Sequence, residues 1–432
     1  MEFIGALVLF LVFLLCLLVG VPIAFGIGVA TLVTMWVTIP FDPAVTTVAQ
    51  RMATGLDSFT LLAIPFFILA GQIMNRGGIA RRLIDLAKSM VGTLPGGLAY
   101  INIIAAMLFG SISGSAVATA SAMGGFMGPQ MKKEGYDPAY SAAVNITSST
   151  TGLVIPPSNI LIVYSLASGG ASIAALFLAG YLPGILTGLL LMGVAGYIAM
   201  RRNYPVSERV PLATAVRMFV RALPSLFMVF LVIGGIVAGI FTATEASAIA
   251  VVYALILSMG IYRELSLADL RKVLLQSCNT TAIVALLIAT SMAMSWIMSY
   301  ENIPQGVSET LISLSDHPVV ILLMINLILL GVGTFMDMTP AVLIFTPIFL
   351  PLVVELGMDP VHFGIVMILN LCVGLCTPPV GSVLFVGCGI AGIKITDVVR
   401  PLIPLFIVMV LALMVVTFWP ELSLFLPELF GY

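Results

Sequence analysis

Long apolar stretches recur along the chain and are separated by short polar segments. Most of them approach the roughly 20 residues that an α-helix needs to cross a bilayer. The predicted spans are about 3–19, 21–38, 59–75, 138–165 and 176–200, followed by about 222–240, 244–262, 278–299, 360–390 and 401–418. Two further apolar segments, 93–131 and 318–356, are interrupted near their middle by small or polar residues. These two segments predict helix–turn–helix hairpins.

The composition indicates that the chain lies in a lipid bilayer. Hydrophobic residues make up 61% of it, charged residues 8%, and the mean hydropathy is +1.20. A water-soluble protein of 432 residues needs more polar surface than this. The stretch from Phe3 follows no basic region and shows no small-residue cleavage site, which indicates a first membrane helix rather than a signal peptide. We expect an all-α integral membrane protein, and its net charge of −2 offers no basic surface for nucleic acid.

The helix-breaking residues occur twice along the chain. One constant shift, which carries Pro129 onto Pro351, superposes Gly and Pro positions of the two halves without a gap; we call it the repeat shift. The further pairs are Gly135 with Gly357, Asp137-Pro138 with Asp359-Pro360, Gly152 with Gly374, and Pro156-Pro157 with Pro378-Pro379. Amphipathic segments at 79–90 and 303–314 also correspond, and each predicts a helix along the membrane interface. We divide the chain into a first repeat at 1–200, a cytoplasmic linker at 201–221 and a second repeat at 222–432.

The basic residues predict how the two repeats are oriented. Five spans in each repeat reverse the orientation of the second copy. With the N-terminus outside, all but Arg51 of the 17 Lys and Arg residues fall on the cytoplasmic side, as the positive-inside rule requires. The repeats are therefore predicted to be inverted, with both termini outside. Inverted repeats allow one site to be reached from either side of the membrane, whereas the alternative is a duplicated channel or structural bundle.

The hairpin tips are candidate binding segments. Tip one is Phe-Gly-Ser-Ile-Ser-Gly-Ser-Ala at 109–116, and tip two is Gly-Val-Gly-Thr-Phe-Met-Asp-Met-Thr-Pro at 331–340. Each hairpin could consist of two complete spans or of two limbs that turn back within the membrane, and the basic residues allow both. The small and polar tips favour re-entrant hairpins.

Two Pro-Pro pairs interrupt the spans at 138–165 and 360–390. Proline removes a backbone donor and clashes with the preceding turn, so nearby carbonyls lose their helical partners. Within a membrane such carbonyls are tolerated where they line a cavity or bind a cation, and oxygen ligands suit a hard cation such as sodium. We predict two or more Na⁺ ions, each held by a tip together with an interrupted helix. The candidate ligands are Ser111, Ser113, Ser115 and Gly152 in the first repeat, and Thr334, Asp337, Gly374 and Thr377 in the second.

The substrate is predicted to be an anion that is held without a basic side chain. No Lys or Arg lies within a predicted span, so positive potential must come from helix N-termini at the tips and from bound cations. The candidate substrate-binding residues are Ser113, Ser115, Asn159, Met338, Thr339 and Ser382. Asp337 is the most deeply placed acidic residue, and its alternative role is to cap the helix that follows. Glu245 is more typical of a helix cap than of a substrate contact.

These residues resemble a known family. The two interrupted helices, tip one and the segment Gly-Ile-Phe-Thr-Ala-Thr-Glu-Ala at 239–246 are similar to the large membrane subunit of tripartite ATP-independent periplasmic (TRAP) transporters, the DctM-like family. The resemblance covers essentially the whole chain. One departure is Ala243, where the family's Thr-Pro-Thr-Glu pattern would place a proline.

The resemblance implies a sodium-driven secondary transporter of the elevator type in the bacterial inner membrane. In that membrane, the outside termini predicted from the basic residues would be periplasmic. It implies two protein partners, a small TRAP membrane subunit of about four helices and a periplasmic substrate-binding protein. The implied substrates are organic acids such as C4-dicarboxylates, sialic acid or sugar acids. Nothing in the chain resembles a fused small subunit, so a separate one is expected.

Two other functions share features with this one. A stand-alone sodium-coupled divalent-anion transporter would have the same inverted hairpins but need no binding protein. An intramembrane enzyme would need a catalytic pair or metal ligands within the spans, and the chain has no His-Glu-x-x-His pattern and no Walker motif. We expect a transporter rather than an enzyme.

Overall fold

The computed structural model describes residues 4–92, 94–206 and 211–432, and every regular element in these ranges is helical. The helices of the first half are α1 (Ile4–Leu18), α2 (Ile23–Thr38), α3 (Phe41–Leu56), α4 (Ala63–Arg76), α5 (Ile79–Val91), α6 (Gly97–Ser113), α7 (Ala116–Lys133), α8 (Pro138–Thr151), α9 (Asn159–Ala167) and α10 (Ile173–Arg201). Those of the second half are α11 (Leu212–Val237), α12 (Ala243–Leu255), α13 (Leu267–Tyr300), α14 (Ile303–Leu314), α15 (Pro318–Phe335), α16 (Met338–Glu355), α17 (Pro360–Gly374), α18 (Ser382–Ala391), α19 (Ile395–Phe418) and α20 (Glu421–Leu429). A 3₁₀ turn (Phe59–Leu62) precedes α4, and a π-helical turn (Ile256–Ile261) follows α12.

Many of these helices have membrane dimensions. Within the described ranges, eight helical segments are long and apolar enough to cross a bilayer; they contain α4, α10, α11, α12, α13, α15, α16 and α19. Shorter apolar helices, among them α1, α2 and α6, accompany them. The expectation of an all-α, multi-pass membrane protein is confirmed.

Helices α8 and α17 form the centre of the molecule. Every residue of α8 from Tyr140 to Thr151 is buried, as is every residue of α17 from His362 to Gly374. Both helices begin with the same Asp-Pro signal. Asp137 Oδ1 accepts a hydrogen bond from the Ala139 amide at 3.0 Å, and Asp359 Oδ1 accepts one from the Val361 amide at 2.7 Å. A capping carboxylate followed by proline at the first helical position starts each helix at a defined residue.

Helices of the first half pack against helices of the second half in matching pairs. Helix α2 packs against α13, and α4 packs against α12. Helix α7 packs against α18, and α16 packs against α9. Helix α10 contacts α17, and α19 contacts α8. Each half therefore completes the packing of the other, so the two halves form one interlocked unit.

Individual side chains follow the repeat shift as well. The Tyr140 hydroxyl donates to the carbonyl oxygen of Ala195 at 2.7 Å. At the equivalent positions of the second half, His362 Nε2 lies 3.4 Å from the carbonyl oxygen of Thr417. The amphipathic helices α5 and α14, which we call the arm helices, both begin after a left-handed residue, Gly78 with φ +76° and Asn302 with φ 52°. This pair lies two residues away from the repeat shift. These pairs support the duplication, and the inverted membrane orientation of the two copies stays a prediction.

Four elements differ from the sequence-based expectation. Helix α11 begins at Leu212, so the last ten residues of the predicted linker at 201–221 are helical; residues 207–210 of that linker lie outside the described ranges. The sequence pattern does not predict α3 and α20, because each is short and polar residues interrupt its apolar pattern. Helix α13 extends eleven residues before the predicted start at 278.

Candidate functional site

Each hairpin tip lies against the break in an interrupted helix. A Cβ atom added to Gly110 would lie 2.8 Å from the Cα of Gly152, and one added to Gly333 would lie 3.0 Å from the Cα of Gly374. Backbone therefore meets backbone at both places, and glycine at these positions is what permits the approach. Each tip therefore packs against a break, and the re-entry of the limbs within the membrane stays a prediction.

Tip one is a tight turn that hydroxyl groups hold together. Gly114 has a φ of +62° and separates α6 from α7. Ser113 Oγ lies 3.0 Å from Thr119 Oγ1, which donates to the Ser115 carbonyl at 2.8 Å. Ser115 Oγ accepts a hydrogen bond from the Ala118 amide at 3.2 Å and so caps α7. These hydrogen bonds hold the tip hydroxyls at the start of α7.

Tip two presents a carboxylate in place of a hydroxyl. Asp337 occupies the N-cap position of α16, where the repeat shift places it opposite Ser115, but it makes no capping hydrogen bond. Its side chain is instead exposed and lies on the wall of a cavity. The Gly381 amide donates to the Thr334 carbonyl at 3.0 Å and ties this tip to the break between α17 and α18. The carboxylate is consequently available to a ligand.

Both tips open on one cavity of about 260 Å³, which α4 and α13 close on the other side. Six of the residues predicted as ligands line it: Ser113, Ser115, Asn159, Asp337, Met338 and Thr339. Gln72 of α4 and Thr280 of α13 line it too, and sequence reasoning missed both. The available signal was a polar side chain in an otherwise apolar span.

The remaining predicted ligands lie outside this cavity. Three hydroxyls donate to carbonyls of their own helices: Ser111 Oγ to Leu108 at 2.9 Å, Thr334 Oγ1 to Gly331 at 2.6 Å and Thr377 Oγ1 to Val373 at 2.8 Å. Each such oxygen keeps lone pairs that can still contact a cation. Gly152 and Gly374 lie at the tip–break contacts, and Ser382 Oγ is buried without a hydrogen bond. Their binding roles stay predictions.

The polar side chains that line the cavity carry hydroxyl, carboxylate and amide groups, and apolar side chains such as Ile64, Ile160 and Leu375 form the rest of its wall. Among the described residues, no Lys, Arg, His or Cys lines it. Across the same part of the chain, no cluster of three or more His, Cys, Asp or Glu side chains occurs that would hold a metal ion. Hydroxyl, carbonyl and carboxylate oxygens suit an alkali or alkaline-earth cation better than a transition metal.

Glu245 lies away from this cavity and caps α12. Its amide donates to Thr242 Oγ1 at 3.2 Å, and its carboxylate accepts from the Thr242 amide at 2.8 Å. The two bonds form a complete capping box. Alanine at 243 is compatible with this helix start, where the resemblance would place a proline.

The chain is similar in sequence to a known family of proteins. A family model described as "Tripartite ATP-independent periplasmic transporter, DctM component" matches residues 10–422. The uncharacterized protein YgiK of Salmonella typhimurium is 58% identical over 98% of this chain and 97% of its own length. The 2,3-diketo-L-gulonate TRAP transporter large permease protein YiaN of Escherichia coli is 40% identical over 95% of this chain and 97% of its own length.

A solved structure shares the fold. The YdaH transporter of Alcanivorax borkumensis superposes with a TM-score of 0.62 over 87% of this chain and 88% of that one, at 13% sequence identity. At this identity the similarity concerns the arrangement of the helices alone.

Proposed function

Since the chain belongs to the family of DctM components of tripartite ATP-independent periplasmic transporters, we propose that it takes up an organic acid by sodium symport across the bacterial inner membrane. A sugar acid, a C4-dicarboxylate or sialic acid is the proposed substrate class. A relative that is 40% identical is named for a sugar acid, 2,3-diketo-L-gulonate. We further propose a small membrane subunit and a periplasmic binding protein as partners, and periplasmic chain termini.

The cavity shared by the two tips is the observation that carries this proposal. A carboxylate that leaves water must find fixed positive potential, because desolvation of an unpaired charge is costly. No basic side chain of the described ranges lines the cavity. The N-terminus of α7 at Ser115 and that of α16 at Asp337 both lie on it, and each contributes roughly half a positive charge. Sodium ions beside the tips would supply the remainder.

The proposed sodium sites use one tip and one break each. The first would take oxygens from Ser111, Ser113, Ser115, Gly152 and Asn159, and the second from Thr334, Asp337, Thr339, Gly374 and Thr377. The glycine contacts that join each tip to its break support this grouping. Sodium would bind first and create the anion site, so substrate affinity should rise with sodium concentration, and substrate should tighten sodium binding reciprocally.

Uptake into proteoliposomes tests the proposal. The vesicles contain the chain with its small subunit, the binding protein is added outside, and the probes are 2,3-diketo-L-gulonate and succinate. We expect uptake of one probe in an inward sodium gradient and none when choline replaces sodium. Equal uptake in both salts would contradict sodium coupling. Uptake that does not need the binding protein would favour the stand-alone transporter.

An Asp337→Asn variant tests the second sodium site. Hydrogen bonds and contacts to a charged group contribute about 1.5–3 kcal/mol, so the sodium concentration for half-maximal uptake should rise roughly tenfold or more. Substrate affinity at saturating sodium should change less. Glu309→Gln, on the exposed face of α14, is the control and should leave sodium activation unchanged. The same sodium activation in Asp337→Asn as in the parent chain would remove Asp337 from the site.

A further inference from the structure

A long apolar groove runs along one side of helix α1. Side chains of α1, α13, α14, α15 and α16 line it, and its volume is about 530 Å³. Within the described part of the chain, its wall includes no polar side chain. On α1 the groove extends from Ala6 to Leu17, about 16 Å along the helix axis, and on the hairpin of α15 and α16 it reaches Met336 at tip two. It shares no lining residue with the tip cavity, so it is a separate feature.

A polar pocket of about 610 Å³ adjoins the groove at its Ala6 end. The two have Ala6, Ile303 and Ile328 in common as lining residues, so one continues into the other. The end of α13 and the first half of the arm helix α14 supply the polar groups of the pocket. The length of the groove is about half of the roughly 30 Å hydrocarbon core, which is the depth of one leaflet. An apolar channel of this length that ends in a polar pocket matches a membrane lipid.

Glu301 places a carboxylate where the groove meets the pocket. It directly follows α13, lines the pocket and is half-buried. A Cβ atom added to Gly5 would overlap Glu301 Oε2, so this oxygen lies against α1 next to Ala6. Glu301 forms no ion pair with a described residue. Glu309 also lines the pocket, and no described Lys or Arg does. A half-buried carboxylate in such surroundings favours a cationic partner, because an unpaired charge is costly to desolvate.

The first turn of α14 contributes the opposite potential to the same pocket. The N-terminus of a helix carries unpaired N–H groups and roughly half a positive charge, and phosphate groups bind there. No side chain caps this end of α14. The amides of Ile303 and Gln305 donate to no backbone carbonyl in the described ranges, and both residues line the pocket. The pocket therefore offers an anion site and a cation site side by side, as a zwitterionic headgroup requires.

We propose that the groove and the pocket together bind phosphatidylethanolamine. One acyl chain fills the groove, the phosphate accepts from the first amides of α14, and the ammonium group donates to the Glu301 carboxylate. Phosphatidylcholine has no N–H to donate, and phosphatidylglycerol has a net negative charge that Glu301 and Glu309 repel. Because α14 is predicted to lie along the outer interface, the lipid belongs to the outer leaflet. It lies between α1 and the hairpin that carries tip two.

Lipid titrations of the delipidated full chain in detergent test this site. Native mass spectrometry measures the affinity of the first bound lipid, and the probes are phosphatidylethanolamine, phosphatidylcholine and phosphatidylglycerol with the same dioleoyl chains. Glu301→Gln removes the charge, and Gly331→Trp fills the groove at a position where a Cβ atom meets nothing within 4 Å. The matched controls are Glu355→Gln, on the exposed end of α16, and Gly193→Trp on α10. Gly193 is equally open and lines neither the groove nor the pocket.

We expect the parent chain to bind phosphatidylethanolamine about tenfold more tightly than phosphatidylglycerol, since one charge-assisted contact is worth about that factor. Glu301→Gln should remove this preference, and Gly331→Trp should weaken the binding of all three lipids. Both control variants should match the parent chain. If Gly331→Trp does not fold, Glu301→Gln still decides, because it keeps the shape of the side chain. The measurement uses no sodium, substrate or binding protein, so its result is independent of the proposed transport function.

Three results would overturn the proposal. The first is equal affinity of the parent chain for phosphatidylethanolamine and phosphatidylglycerol. The second is an unchanged preference in Glu301→Gln. The third is a Gly331→Cys variant whose thiol is shielded from N-ethylmaleimide by the small membrane subunit but not by phosphatidylethanolamine, which would assign the groove to that protein partner.

Discussion

Four glycines set the distance between the tips and the interrupted helices. Gly110 faces Gly152 and Gly333 faces Gly374, with Cα atoms that a single methyl group would contact. The carbonyls and hydroxyls of a proposed sodium site come from both partners of each pair. A small increase in their separation would therefore lengthen every cation–oxygen distance at once.

Alanine at 333 tests this view. Gly333→Ala forces α15 away from the Gly374 backbone, and overpacking of this kind costs about 1–3 kcal/mol. We expect a lower melting temperature and a smaller stabilisation by sodium, both measured by thermal unfolding in detergent. Gly331→Ala is the matched control, since it lies two residues earlier on α15 with nothing within 4 Å of its Cβ position. Loss of sodium stabilisation in Gly331→Ala as well would show that the effect is not local.

Among the elements, the arm helix α5 is joined to the connection between α12 and α13 by one side chain. Arg82 Nη2 lies 2.8 Å from Glu264 Oε1, and the guanidinium carbon lies 3.6 Å from the centroid of the Tyr262 ring. Arg82 Nη1 also donates to the Gly78 carbonyl at 2.7 Å. The arm is thus fixed at its N-terminal end.

Arg82→Gln should loosen this end of α5. A partly exposed ion pair with a cation–π contact contributes about 1 kcal/mol, so amide hydrogen exchange in the first turns of α5 should speed up about fivefold. Arg81→Gln is the control, because Arg81 is exposed and has no ion pair among the described residues. Exchange that speeds up equally in both variants would mean that helix propensity, and not the contact, fixes the arm.

Some helix boundaries have a local signal in the sequence, and others do not. Pro-Pro pairs and Asp-Pro starts have local causes, so the breaks after α8 and α17 were predictable. Helix α3 was not, since Asp42, Gln50 and Arg51 reduce its hydropathy to that of a loop. The repeat shift carries it onto 263–278, most of which belongs to the continuous helix α13. In the first repeat the helix ends before Asp57, whereas in the second repeat α13 continues through the equivalent position.

The cavities depend on contacts between distant segments and were less predictable. Ser115 and Asp337 stand out in the sequence because each is a cap next to a helix break. Gln72 and Thr280 become neighbours of the tips only through the packing of α4 and α13.

At the scale of the whole molecule, the helices fall into two groups. In the first group, the two hairpins (α6 with α7, and α15 with α16) and helices α9 and α18 pack around α8 and α17. In the second group, α1 to α4 and α11 to α13 pack among themselves. The groups meet where α4 contacts α6 and α9 and where α13 contacts α16. We propose that the first group moves past the second and carries the tip cavity across the membrane.

A cross-link between the groups tests this motion. Gln72→Cys on α4 and Val117→Cys on α7 both line the tip cavity but belong to different groups. A bifunctional methanethiosulfonate linker should reduce uptake to background in the double variant, and cleavage of the linker should restore it. The control pair, Gln72→Cys with Thr280→Cys, joins α4 to α13 within one group and should retain uptake. Undiminished uptake in the cross-linked first pair would refute this assignment of moving and fixed parts.

The interlocked packing of the two halves has a consequence for biosynthesis. The ribosome completes α9 at Ala167, whereas the partner of that helix, α16, begins only at Met338. Helix α2 likewise precedes its partner α13 by more than half of the chain. The hydroxyl-rich end of α8, Ser148–Thr151, is buried only in the finished molecule, so during insertion it must stay with water, with other nascent helices or with the insertion machinery. Complete tertiary packing is therefore delayed until the second half is in the membrane, and a chain that stalls midway leaves α2 and α9 without their second-half partners.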